Sequence, residues 1–187
     1  MIFYVILGLL VVAVIVVVMM FNGLVQLRNR VENAWAQIDV QLKRRFDLIP
    51  NLLETVKAYA AHEKGTLEAV VQARNSAISA SSGGAGSAAA AGAADTALTA
   101  SLRQVFALSE AYPDLKANQN FLALQEELSS TEGKISYARQ FYNDTVMKYN
   151  TKIEQFPTSI LANMKKMVHR EYFQTDQTSR EVPKVQF

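Results

Sequence analysis

Residues 2–21 form an apolar run of 20 positions with no charged side chain. As a helix rising 1.5 Å per residue, such a run is about 30 Å long, the thickness of a bilayer's hydrocarbon core. The Val and Ile density between Val11 and Val18 would favour a strand in water. In lipid a lone segment must satisfy its own backbone hydrogen bonds, so helix wins. Ile2, Phe3, Val11, Val16 and Phe21 are the expected anchor residues. A cleaved signal peptide is the competing reading, and it needs a basic start and small residues at a cleavage point. Met1-Ile2-Phe3-Tyr4 carries no Lys or Arg, and Met19-Met20-Phe21-Asn22 offers no A-x-A site, so a retained anchor over residues 1–23 is expected.

Past the anchor the apolar positions recur in steps of three and four. Leu24, Leu27, Val31, Ala34, Trp35, Ile38 and Leu42 share one helical face over residues 24–46. Asp47 and Pro50 suit a cap and an early helical turn, which predicts a tight corner at residues 47–50. A second helix is then expected through Leu52, Val56, Leu67 and Val70 to Ile78, weakened locally at Gly65. Residues 79–94 are 16 consecutive Ser, Ala or Gly, read as a flexible connector. Asp95 is placed as the cap of a third helix ending near Pro113.

The fourth segment has the longest pattern. Phe121, Leu128, Ile135, Tyr142, Tyr149 and Phe156 recur every seven residues, with Leu124, Thr131, Ala138 and Thr145 three residues on. Five repeats make a seam about 50 Å long. Together with Trp35, Ile38, Leu42, Leu52 and Val56, these residues are the expected bundle core, not a cofactor pocket. A short amphipathic piece (Ile160, Leu161, Met164, Met167, Val168) follows, then a polar tail over 174–187. The fold expected is all-α: one N-terminal transmembrane helix, then an elongated antiparallel bundle of about four long helices over residues 24–173.

Charge changes this picture little. The 187 residues carry a formal net charge of +2, too near neutral to suggest nucleic acid as a partner. Orientation follows from the basic residues, which lie only after the span (Arg28, Arg30, Lys43, Arg44, Arg45), putting the N-terminus outside and the bundle in the cytoplasm. The absence of Cys excludes disulfides, iron–sulfur clusters, thiolate zinc sites and thiol nucleophiles.

Candidate chemistry is sparse. His62-Glu63 lacks the second His that a His-Glu-x-x-His zinc motif places one turn on, and reads as solvated surface. No Glu-x-x-His pair supports a di-iron bundle, no Gly-x-Ser-x-Gly a serine nucleophile, and no glycine loop a phosphate cradle. No catalytic, metal or cofactor residue and no small-molecule substrate is expected. Lys43, Arg44 and Arg45 are a candidate interaction surface. They lie about 30 Å of helix beyond the span against a Debye length of about 8 Å, so pairing with Asp39, Asp47 or another helix is favoured over lipid headgroups. Asn143 and Asn150 flank the seam seven residues apart, where they either fix register through buried hydrogen bonds or face solvent.

Two long stretches carry a resemblance. Ala34-Trp35-Ala36-Gln37-Ile38-Asp39-Val40-Gln41-Leu42 continues into Lys43-Arg44-Arg45-Phe46-Asp47-Leu48-Ile49-Pro50-Asn51-Leu52, and Tyr112-Pro113-Asp114-Leu115-Lys116-Ala117-Asn118 leads to Tyr142-Asn143 and Tyr149-Asn150. Over residues 22–173 the chain resembles the LemA family. The resemblance implies a bacterial single-pass protein of the inner membrane with a cytoplasm-facing helical bundle and no assigned catalytic residues. That family in turn resembles the magnetosome-associated protein MamQ, which points to membrane organisation. The functions expected are a membrane-anchored scaffold that forms a homo-oligomer or docks a membrane-protein partner, or a signal-relay module coupling the span to a cytoplasmic partner.

Overall fold

The computed structural model describes residues 1–174, so the predicted polar tail lies outside the described residues from position 175 on. Helix α1, Ile2–Lys57, is one uninterrupted helix of 56 residues, about 84 Å long. Its residues 2–19 are exposed throughout, and this is the one helix with a stretch long and apolar enough to cross a membrane among the described residues. From Leu24 onward one face is buried, through Val31, Trp35, Ile38, Leu42, Phe46, Ile49, Leu52 and Val56.

The corner expected at residues 47–50 does not exist. Pro50 sits inside α1, where it removes the N–H that would bond to the carbonyl of Phe46 four residues back. Arg74 supplies the missing donor: its Nε donates to the Phe46 carbonyl at 2.7 Å. Ile49 and Leu52 continue the buried stripe on either side, and that packing offsets the helix-breaking cost of about 3 kcal/mol. The chain instead turns at residues 58–63, so the second expected helix is divided between α1 and α2, Lys64–Ser81. Gly65 falls in the first turn of α2, where it interrupts little.

The connector over residues 79–94 is ordered. It completes α2, makes a 3-10 turn at Gly84–Ser87 and begins α3, Ala88–Ser109. Gly84 takes φ +65 in that turn, a left-handed conformation that glycine adopts without strain. Ala85, Ala88 and Ala91 are buried. Small side chains here permit close approach, not freedom. Asp95 lies inside α3 and caps nothing. A single turn, α4 (Pro113–Lys116), leads to Asn118, whose side chain accepts from the Phe121 N–H at 3.0 Å and caps α5, Gln119–Glu154.

Helix α5 runs antiparallel to α1 and buries Phe121, Leu128, Ile135, Tyr142 and Tyr149 against it, together with Thr131, Ala138 and Thr145. Phe156 is the exception to the expected seam. The helix ends at Glu154, and the Phe156 side chain is 82% exposed. Helix α6, Thr158–Met164, packs beside α1 and α5, and residues 167–174 then run without regular structure up the bundle. The α2–α3 hairpin covers one side of the α1–α5 pair.

Candidate functional site

Four side chains of α5 hold the segment after α6 like a strap. Asn150 accepts from the Arg170 N–H (2.9 Å) and donates to its carbonyl (3.0 Å). Asn143 makes the same pair of bonds with the N–H (2.9 Å) and carbonyl (3.2 Å) of Phe173. The Tyr149 and Tyr142 hydroxyls donate to the carbonyls of Val168 (3.3 Å) and Glu171 (2.9 Å). The spacing explains the match. Seven helical residues rise about 10.5 Å, and three residues of extended chain span about 10 Å. A helix carrying Asn and Tyr every seven positions therefore meets every third peptide of a strap running the opposite way. An amide side chain has both the acceptor and the donor that a peptide unit requires. The two asparagines thus fix a backbone segment, not the register of two helices, and they present no free interaction surface.

The strap ends in the core. Phe173 is buried, its ring 6.2 Å from that of Trp35, which in turn lies 5.7 Å from Tyr142. Arg170 Nη2 pairs with Glu32 Oε1 at 2.6 Å and ties the strap to α1. On the opposite side α3 approaches so closely that a Cβ on Gly92 would run into the carbonyl oxygen of Gln174. Burial pushes the Tyr142 phenol up to about 12. An unfolded tyrosine ionises near pH 10, so the folded state holds the proton after the unfolded state has lost it, and stability falls as pH rises from about 10 towards 12. Tyr142→Phe should flatten that alkaline limb in melts followed by circular dichroism. At neutral pH the same variant should lose about 1 kcal/mol with the bond to Glu171.

A second feature joins three helices. Arg45 of α1, expected on the surface, is almost fully buried. Its Nη1 lies 2.8 Å from Asp95 Oδ1 on α3 and 2.7 Å from Glu132 Oε2 on α5, and Nη2 donates to Thr99 Oγ1 at 2.9 Å. Burial raises the Asp95 carboxyl above its ordinary range; Arg45 opposes that shift and Glu132 adds to it. The other two basic residues are paired as well: Lys43 with Asp39 at 2.7 Å, and Arg44 with Glu127 across the α1–α5 interface. The trio is thus a set of ion pairs, one of them buried.

Glu63 accepts from the Tyr112 hydroxyl at 3.3 Å, which links the turn after α1 to the end of α3. No group of three His, Asp or Glu that could hold a metal occurs among the described residues. The face of the α1–α5 pair away from the hairpin carries a shallow groove of about 710 Å³, lined by Val40 and Gln41 on one wall and Gly133 and Tyr137 on the other. Sequence reasoning missed the strap, Gly92 and the Arg45 network. The seven-residue spacing of Asn143 and Asn150 was the available signal for the first of these.

Comparison with known proteins agrees with the geometry. A family model described as the LemA family matches residues 34–187. The protein named LemA from Metamycoplasma hominis is 26% identical over 159 residues, covering 85% of this chain and 71% of that relative. Because the match starts at Ala34 on the buried face of α1 and takes in α2, α3, α5 and the strap, the chain belongs to the LemA family.

Proposed function

We propose that the protein is a membrane-anchored helical scaffold, working without catalysis, that holds a second copy or a partner protein against the open α1–α5 face. The observation that supports this is an apolar face left uncovered by hairpin and strap: Tyr137 is 74% exposed, and Val40 and Phe141 are exposed beside it. Soluble faces rarely leave such residues contiguous without an occupant. The positive-inside distribution supports a bundle on the cytoplasmic side of the inner membrane.

The chain has no Cys, so Tyr137→Cys introduces a single thiol on this face. Crosslinking in native membranes should give a dimer or one discrete heterologous adduct, abolished by Val40→Lys. A chain that stays monomeric and unadducted would overturn the proposal. Signal relay is a second reading, supported by the unbroken helix from Ile2 to Lys57, which can pass a shift in the span directly into the bundle. Two glycines inserted at Asn22-Gly23 separate the two. A passive scaffold keeps its crosslink and its cellular function; a relay keeps the crosslink and loses function.

A further inference from the structure

Carried down the bundle, the register of α1 and α5 sets the end of α5 at the membrane. The Trp35 and Tyr142 rings meet edge to face, and ten residues along each helix Arg45 meets Glu132. Twelve residues in the other direction bring Glu154, the last residue of α5, level with Gly23, two positions past the apolar run, and Phe156 follows directly. An independent contact agrees: Lys165 Nζ lies 5.4 Å from the centre of the Phe21 ring. The segment at this level is amphipathic the wrong way round for a water-facing surface. Thr158 and Ala162 are buried against the bundle. Ile160 and Met164, half a helical turn away on the opposite face, are 53% and 73% exposed, and Val168 is 68% exposed. No acidic residue occurs between Phe156 and Arg170, whereas Lys165 and Lys166 are adjacent.

We propose that Phe156 and α6 form a second membrane contact, with Phe156, Ile160, Met164 and Val168 seated in the interfacial layer of the bilayer and Lys165 and Lys166 against anionic headgroups. The proposal rests on residues 2–21 spanning the bilayer. Continuity with the span decides the occupant: a surface held at the level of Phe21 meets lipid before it can meet another protein. Apolar side chains at that depth leave water, and lysines beside them snorkel to the phosphates.

The test uses the full chain in nanodiscs containing one quarter anionic lipid. Single cysteines at Val11, Ile160, Met164 and Leu122 are labelled with an environment-sensitive fluorophore and challenged with lipids bearing shallow or deep nitroxides. Leu122, exposed at the far end of α5, is the control. Labels at Ile160→Cys and Met164→Cys should be quenched by the shallow nitroxide at least threefold more than that at Leu122→Cys. Quenching should fall about twofold in purely zwitterionic discs, or with Lys165→Gln and Lys166→Gln together. Quenching at Val11→Cys by the deep nitroxide with none at Ile160 overturns this proposal alone. Absence of deep quenching at Val11 overturns the span and the proposal with it. Disulfide crosslinking through Ile160→Cys between two chains, without lipid quenching, would show that the face is covered by a second copy and also overturn the proposal.

Discussion

Replacing Arg45 by alanine is expected to destabilise the bundle by about 3–5 kcal/mol, the usual cost of removing one partner from a buried ion pair. The cost arises less from the lost attraction than from what stays behind. Asp95 remains buried on α3, and an uncompensated carboxylate there must either stay dehydrated or take up a proton. Burial already raises this carboxyl, and Arg45 is the first group that opposes the rise. Without it the folded-state value climbs further above the unfolded value of about 3.9. The folded variant then binds a proton that the unfolded chain releases, so its stability falls as pH rises through that window. The deficit relative to the natural chain should be smallest in acid and grow towards neutrality. Urea unfolding of the detergent-solubilised chain at several pH values checks both size and sign. Adding Asp95→Asn to Arg45→Ala should recover part of the loss; no recovery would mean that the arginine acts through packing alone.

Gly92→Ala is expected to release the strap. The added methyl would occupy the place of the Gln174 carbonyl, and neither α3 nor a strap held by paired amide bonds at Asn143 and Asn150 can yield cheaply. Undocking forfeits the burial of Phe173, about 2–3 kcal/mol, which moves the docked-to-free ratio by roughly thirty- to a hundred-and-fortyfold. Trp35 is the only tryptophan in the chain and lies against Phe173, so its emission should shift to the red. Proteolysis after Arg170 should accelerate by a similar factor. Phe173→Ala should reproduce the fluorescence change with Gly92 intact. If Gly92→Ala leaves both signals unmoved, the strap does not depend on that close approach.

The two features behind these expectations differ in how far residue patterns announce them. The seven-residue recurrence from Phe121 to Tyr149 marks a buried stripe because helical periodicity converts spacing into a face before any partner is known. The same arithmetic fails at Phe156, where the helix has already ended at Glu154. Pro50 was misleading for a related reason. A proline announces a missing donor, and only the folded chain reveals that Arg74, from another helix, supplies it. The run from Ser79 to Ala94 has the composition of a linker, yet Ala85 and Ala88 are buried and Gly92 has the Gln174 backbone against it.

Sequence alone determined the all-α character, the long apolar N-terminal helix, the inward stripes of α1 and α5 and membership of the LemA family, since each is a property of local period or of residue order. Tertiary structure alone decided that α1 continues to Lys57, that Arg45 is a buried hub rather than a surface charge, and that Asn143 and Asn150 grip a strap. These depend on which groups meet across twenty or more positions along the chain. Hydrogen bonds and ion pairs take their energy from that meeting, and spacing along one helix carries no record of it.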